Sequence, residues 1–158
     1  MPIGDVTEVS ATIAAPVDTV YALVSDITRM GEWSPECSGG KWLGGATEAR
    51  PGSRFRGANK HGLWHWSTTC IVVAADSGKE LSWEVRKLGR PVSFWRYRFE
   101  DDGHGGTTVV ETTEDRRDAF MKSLSPMATG VGDRAVRNRR TMEDTLERLK
   151  ERAEAGAR

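Results

Sequence analysis

From Val6 to Ala14 the chain alternates: Val9, Ala11 and Ile13 fall on one face and Glu8, Ser10 and Thr12 on the other, the pattern of a half-buried strand. Pro16 then suits the first position of a helix. Behind it Val17, Val20, Tyr21 and Val24 keep the i, i+3, i+4, i+7 spacing of an amphipathic helix. The stretch DITRMGEWSPE (26–36) reads as a second short helix, ending before Pro35 because that ring disfavours helical geometry at Ser34. From Cys37 to Asp115 the period drops to two. Breaks recur at Gly44-Gly45, Pro51-Gly52, His61-Gly62, Ser77-Gly78, Gly89 to Pro91 and Gly103 to Gly106. These breaks predict about six strands with short connections, hence antiparallel neighbours. Ser125-Pro126 has the chemistry of a helix start. Val131, Ala135, Met142, Leu146, Leu149 and Ala153 then form one apolar stripe, so a long C-terminal helix is expected to lie on the sheet.

Strand parity also predicts which side chains face inward. On 53–59, Phe55 and Asn59 share a face opposite Arg54 and Arg56. On 63–73 the even set, Trp64, Trp66, Thr68, Cys70 and Val72, is taken as inward; a bulge would reverse part of it. On 80–87 the inward set is Leu81, Trp83 and Val85, and on 93–100 it is Trp95, Tyr97 and Phe99. The last strand sets Thr108, Val110 and Thr112 against Thr107, Val109 and Glu111, and neither face stands out as apolar. Asn138 interrupts the C-terminal stripe on its buried side, beside Met142. A buried amide needs partners, which a sheet carbonyl, water or a ligand could supply. Mostly apolar walls with scattered hydrogen-bonding groups describe a small-molecule cavity. The plainer alternative is ordinary core packing, since aromatic residues dominate core energetics in any case.

Composition narrows the classes. At 158 residues the chain is read as one domain, 1–158, able to bury roughly 70% of its unfolded surface. The 23 basic and 23 acidic residues cancel, which gives no global field toward nucleic acid or anionic membranes. No stretch has the length or apolarity of a signal peptide or a membrane span, and the two cysteines, Cys37 and Cys70, lack CxxC spacing. A cytoplasmic setting with both thiols buried is expected.

Strand, two helices, six strands and a long helix make an α+β layer architecture. The segments APVDTVYALVSDITRMGEWSPEC, GGKWLGG, PGSRFRGANKHG, WHWSTTCIVVAADSGKELSWEV, VSFWRYRFEDDGHGGTTVVETTEDRR and NRRTMEDTLERLKERAE fill it. They resemble the actinobacterial polyketide cyclase/dehydrase-like branch of the START-like (SRPBCC) superfamily, over about 6–154. The resemblance implies a helix-grip fold of the START/Bet v 1 type: a seven-stranded antiparallel sheet curved around the C-terminal helix, with an apolar ligand between them. It also implies that Glu36 of the SPE motif lies near the cavity, as an acid, a base or a hydrogen-bond acceptor. The alternative for Glu36 is a surface or capping glutamate.

Other candidate chemistry is thin. His61 and His65 flank Gly62, and in a strand four residues span about 13 Å, so they do not share a metal. No GxSxG, HExxH or phosphate-cradling loop is present, and nothing calls for a cofactor. Arg134, Arg137, Arg139 and Arg140 are expected mostly on the solvent side of the helix, not as a nucleic-acid contact. The reading is therefore a binder of a hydrophobic or aromatic small molecule, lipid- or polyketide-like. Its ligand contacts are expected at Phe55, Asn59, Trp66, Thr68, Trp83, Trp95, Tyr97, Asn138 and Met142. The first alternative is an aromatase/cyclase- or dehydrase-like enzyme using Glu36 and Tyr97. The second is an interaction or regulatory module whose cavity is vestigial. Oligomeric state stays open, a homodimer through an edge strand included.

Overall fold

The computed structural model describes residues 5–35, 37–118 and 131–156, with the side chains of 61 and 131–135 excepted. Glu36 and the Ser125-Pro126 helix start lie outside the described residues. Seven strands are seen: β1 (Val6–Ile13), β2 (Cys37–Leu43), β3 (Arg54–His61), β4 (Trp64–Asp76), β5 (Glu80–Lys87), β6 (Arg90–Asp101) and β7 (Thr107–Asp115). Helix α1 (Val17–Ser25) and a 3-10 helix (Ile27–Glu32) follow β1, and α2 (Val131–Gly156) ends the chain. The sheet order is β1-β7-β6-β5-β4-β3-β2 with every pair antiparallel. This is the expected helix-grip architecture. Consecutive hairpins build six strands, and β1 closes the far edge on β7.

The second short helix is a 3-10 turn that stops at Glu32, earlier than Pro35 requires; Asp26 caps it by accepting from the Thr28 amide. It lies almost in contact with the edge strand β2. A Cβ on Gly40 would sit 2.5 Å from the Ile27 carbonyl oxygen, so this approach needs a glycine. Helix α2 runs alongside β1. Near one end Arg139 Nη1 donates to the Glu8 carbonyl (3.1 Å), and near the other Glu154 accepts from the Ala14 amide (3.0 Å). Met142, Leu146, Leu149 and Ala153 of its stripe are buried against the sheet. Each large apolar side chain so buried stabilises by roughly 1.5–3 kcal/mol. Among the described residues no helix is long and apolar enough to cross a membrane.

Two details of the central hairpin differ from the parity reading. The β3–β4 turn is Gly62-Leu63, with His61 opposite Trp64 and Gly62 at φ +61°, the position where a two-residue hairpin favours glycine. Trp64 shares the inward parity of β4 yet is exposed, because the ladder to β5 begins only at Thr69. Further on, the register shifts between Val72 and Ala74, leaving Val73 exposed and bringing odd-numbered Ala75 against the core. On the opposite face of the sheet from the core, Phe94 is buried beneath the guanidinium groups of Arg96 and Arg116, 5.2 and 4.2 Å from its ring centre.

Candidate functional site

The pleat turns alternate residues of five adjacent strands toward α2. Phe55, Gly57 and Asn59 come from β3; Trp66, Thr68 and Cys70 from β4; Trp83 and Val85 from β5; Ser93, Trp95 and Tyr97 from β6; Glu111, Thr113 and Asp115 from β7. Asn138, Thr141, Met142 and Thr145 face them from α2, and Met30, Trp33 and Cys37 close the side next to the 3-10 helix. Between these groups lies a cavity of about 250 Å³. All nine residues expected as ligand contacts lie on its wall: Phe55, Asn59, Trp66, Thr68, Trp83, Trp95, Tyr97, Asn138 and Met142.

Aromatic rings contact one another in sequence across the inner face of the sheet. Trp42 meets Phe55 edge-on at 5.7 Å, Phe55 meets Trp83 edge-on at 5.8 Å, and Trp83 stacks on Tyr97 at 5.7 Å with 23° between planes. Phe55, Trp83 and Tyr97 are buried, while Trp66 and Trp95 are half-buried. Polar groups stand among the rings. Asn59 Nδ2 reaches the Gly57 carbonyl (3.3 Å) and Thr68 Oγ1 (3.5 Å), and Trp95 Nε1 donates to Ser93 Oγ (3.1 Å).

The chain of rings ends on a carboxyl group that strand parity did not single out. Tyr97 and Glu111 face each other across β6 and β7, and the Tyr97 hydroxyl donates to Glu111 Oε1 at 2.7 Å. Glu111 is 2% exposed, and its Oε2 finds no hydrogen-bond partner among the described residues. Burial dominates its chemistry: loss of solvent pushes the carboxyl from an ordinary 4.5 up to about 8, and the Tyr97 hydrogen bond only partly opposes this. At neutral pH Glu111 is therefore mainly a neutral acid. With Oε1 accepting from Tyr97, its proton sits on Oε2. Burial, then the adjoining Glu111, likewise raises the Tyr97 hydroxyl well above its usual value. The two thiols are no nucleophiles: burial raises Cys37 and pushes Cys70 up to about 12, keeping both protonated.

Charge collects at one end of the cavity. Asp115 and Arg117 pair at 2.8 Å just beyond Thr113, and the Asp115 amide donates to the Asp5 carbonyl. Arg137 of α2 also lines the cavity and is half-buried, which corrects its expected place on the solvent face; Arg139 and Arg140 are exposed as expected. Of the candidate catalytic residues, Tyr97 is in the wall, whereas Glu36 lies outside the described residues. His65 is exposed. Among the described residues no group of three or more His, Cys, Asp or Glu is placed to hold a metal.

The sign of the Glu111 effect is testable. Its native pKa lies above the ordinary value, so the native state holds this proton more tightly than the unfolded chain. The resulting stabilisation is full below about pH 4.5 and is lost as pH rises through 8. Glu111→Gln keeps the neutral form at every pH. Its melting temperature should match the parent near pH 4 and exceed it by about 3 °C or more at pH 8.5, the effect of roughly 1 kcal/mol. A difference between the two that does not change with pH would show that Glu111 ionises normally.

Comparison with known proteins agrees with this fold. The aromatase/cyclase Zhui from Streptomyces sp. R1128 superposes with a TM-score of 0.75 at 16% identity, covering 98% of this chain and 96% of that one. A START superfamily protein from Mycobacterium smegmatis does so with a TM-score of 0.75 at 14% identity, covering 96% and 99%. Protein DR_A0006 from Deinococcus radiodurans gives 0.69 at 19% identity, covering 96% and 99%. At such identities the likeness shows a shared fold. No protein of curated function matches the chain in sequence. The family model for polyketide cyclase/dehydrase and lipid transport matches residues 6–154, and the chain therefore belongs to that family, with a START-like helix-grip fold.

Proposed function

We propose that residues 1–158 act as one ligand-binding domain that holds a hydrophobic or aromatic small molecule, lipid- or polyketide-like, between the sheet and α2. The observation that carries this reading is the cavity of about 250 Å³ walled by Phe55, Trp66, Trp83, Trp95 and Tyr97. A module that had lost its ligand would gain stability by filling such a space, since cavities in a core are costly. The family match and the START-like neighbours support the same reading, as do two buried thiols suited to a reducing cytoplasm.

Gly57 provides the cleanest test. A Cβ there would meet Thr68 Oγ1 at 3.6 Å and Cys70 Sγ at 4.0 Å, both ordinary contacts, so a larger side chain would grow into the cavity. In tryptophan-fluorescence titrations with the neutral aromatic probe 1-aminoanthracene, the parent should bind one molecule saturably. Gly57→Leu should weaken it by at least about tenfold, a loss of about 1.4 kcal/mol, while keeping the parent's circular dichroism. Equal binding by the two proteins would contradict a ligand in this cavity.

The Tyr97–Glu111 pair favours one second reading, catalysis on a polyketide. A neutral acid backed by a phenol can protonate or polarise a carbonyl oxygen as an enolate forms. If the protein cyclises a linear β-triketone, Tyr97→Phe and Glu111→Gln should each slow product formation by about 100-fold. Turnover that survives both substitutions would remove this pair from catalysis.

A further inference from the structure

Glu111 is an unusual residue for a fully buried position in the cavity wall. A leucine would bury there without penalty, whereas a carboxyl needs hydrogen bonds for both oxygens. Tyr97 serves Oε1, and among the described residues nothing serves Oε2. The neighbouring elements do not offer a substitute. Val9 of β1 stands opposite Glu111 on one side, and Tyr97 of β6, its hydroxyl already committed, on the other. From α2 the cavity receives Arg137, Asn138, Thr141, Met142 and Thr145; the Thr145 hydroxyl is bonded to the Thr141 carbonyl at 2.8 Å, and none of the five is hydrogen-bonded to Oε2. The unserved oxygen therefore belongs to a group 2% exposed, on the wall of the cavity between the sheet and α2.

We infer that Glu111 is the specificity-determining residue of this cavity: its free carboxyl oxygen, fixed by Tyr97, donates a hydrogen bond to a carbonyl oxygen on the ligand, so that aromatic ketones are selected over hydrocarbons of the same shape. This rests on the cavity being a ligand site. A carbonyl is the matching partner because it accepts and brings no proton of its own. A ligand hydroxyl would carry a further O–H into the ring-lined space, where it needs a partner in turn. Stacking on Trp83 and Tyr97 supplies contact area without distinguishing the two ligand classes. The discrimination thus falls to one hydrogen bond at a buried group, where a donor left unpaired carries a desolvation penalty.

The inference also fixes a pH dependence. Once Glu111 loses its proton, a carboxylate faces the ligand's carbonyl oxygen, and attraction becomes repulsion. Other groups on the cavity are Tyr97 against Glu111 itself, Cys37 and Cys70 on β2 and β4, and Asp5, Asp115, Arg117 and Arg137 toward the far end of β7. Glu111→Gln leaves all of these in place. Its amide keeps an acceptor for Tyr97 and a donor for the ligand, and it does not titrate.

Fluorene and 9-fluorenone, the same tricycle with CH2 or C=O at one position, test this by quenching of tryptophan fluorescence. The parent at pH 6.5 should bind fluorenone at least about tenfold more tightly than fluorene. At pH 9.5 that preference should fall to about twofold or less. Glu111→Gln should keep the preference at both pH values, and Glu111→Leu should lose it at both while still binding fluorene. Equal affinities of the parent for the two compounds at pH 6.5 would overturn the inference and leave the cavity reading standing. A preference in Glu111→Gln that fades with pH as the parent's does would overturn it too, by placing the titrating group elsewhere. Binding of neither compound by the parent would overturn the cavity reading itself, and the inference with it.

Discussion

A single helix cannot cover the concave face of a wide sheet. With side chains α2 is about 10–12 Å across, whereas seven strands at about 4.8 Å spacing extend about 29 Å from first to last. The apolar stripe of α2 is committed to β1 and its surroundings by Met142, Leu146, Leu149 and Ala153. Helix α1 and the 3-10 turn cover other parts, the latter by lying against β2 at Gly40. Among the described residues, the inward faces of β3 to β7 leave a gap on the side toward α2. Large rings fill part of that gap, and a cavity occupies the rest.

The same constraint explains the odd position of Glu111. Sheet registry alone puts it opposite Tyr97 and on the inner face, buried from bulk solvent. The carboxyl answers by keeping its proton, so the fold holds a hydrogen-bond donor where a simple core would hold a methyl group. Stability is lower there above about pH 5 than it would be with an apolar side chain, by the linkage between burial and protonation. Local rules broken at such a cost are expected where function is served. In the proposed reading the rings from Phe55 to Tyr97 supply shape and contact area, and the acid at their end supplies chemistry.

Much of this was legible in the sequence because its patterns are unambiguous. Phe55 alternates with arginines, Trp83 and Trp95 alternate with charged residues, and the α2 stripe keeps helical spacing, so their facing followed from period alone. Three features resisted. Thr107 to Thr113 carries one valine or more on either face, and a glutamate on one of them argues for solvent unless its partner Tyr97 is known. The shift in β4 at Val72 to Ala74 and the exposure of Trp64 depend on where the β5 ladder begins, which is a property of two strands together. Arg137 lines the cavity although arginines surround it in sequence, because the cavity widens the part of α2 that faces inward beyond its apolar stripe.

The protonation state of Glu111 is the hinge of this account, and it can be observed directly. With glutamate labelled at the side-chain carboxyl carbon, and Glu111→Gln to assign the signal, 13C NMR follows the group through a pH titration. The account predicts one carboxyl still protonated at pH 7, titrating near 8, with its midpoint moving further up when 9-fluorenone is bound. A Glu111 signal that titrates near the ordinary 4.5, whether or not the ketone is present, would contradict it.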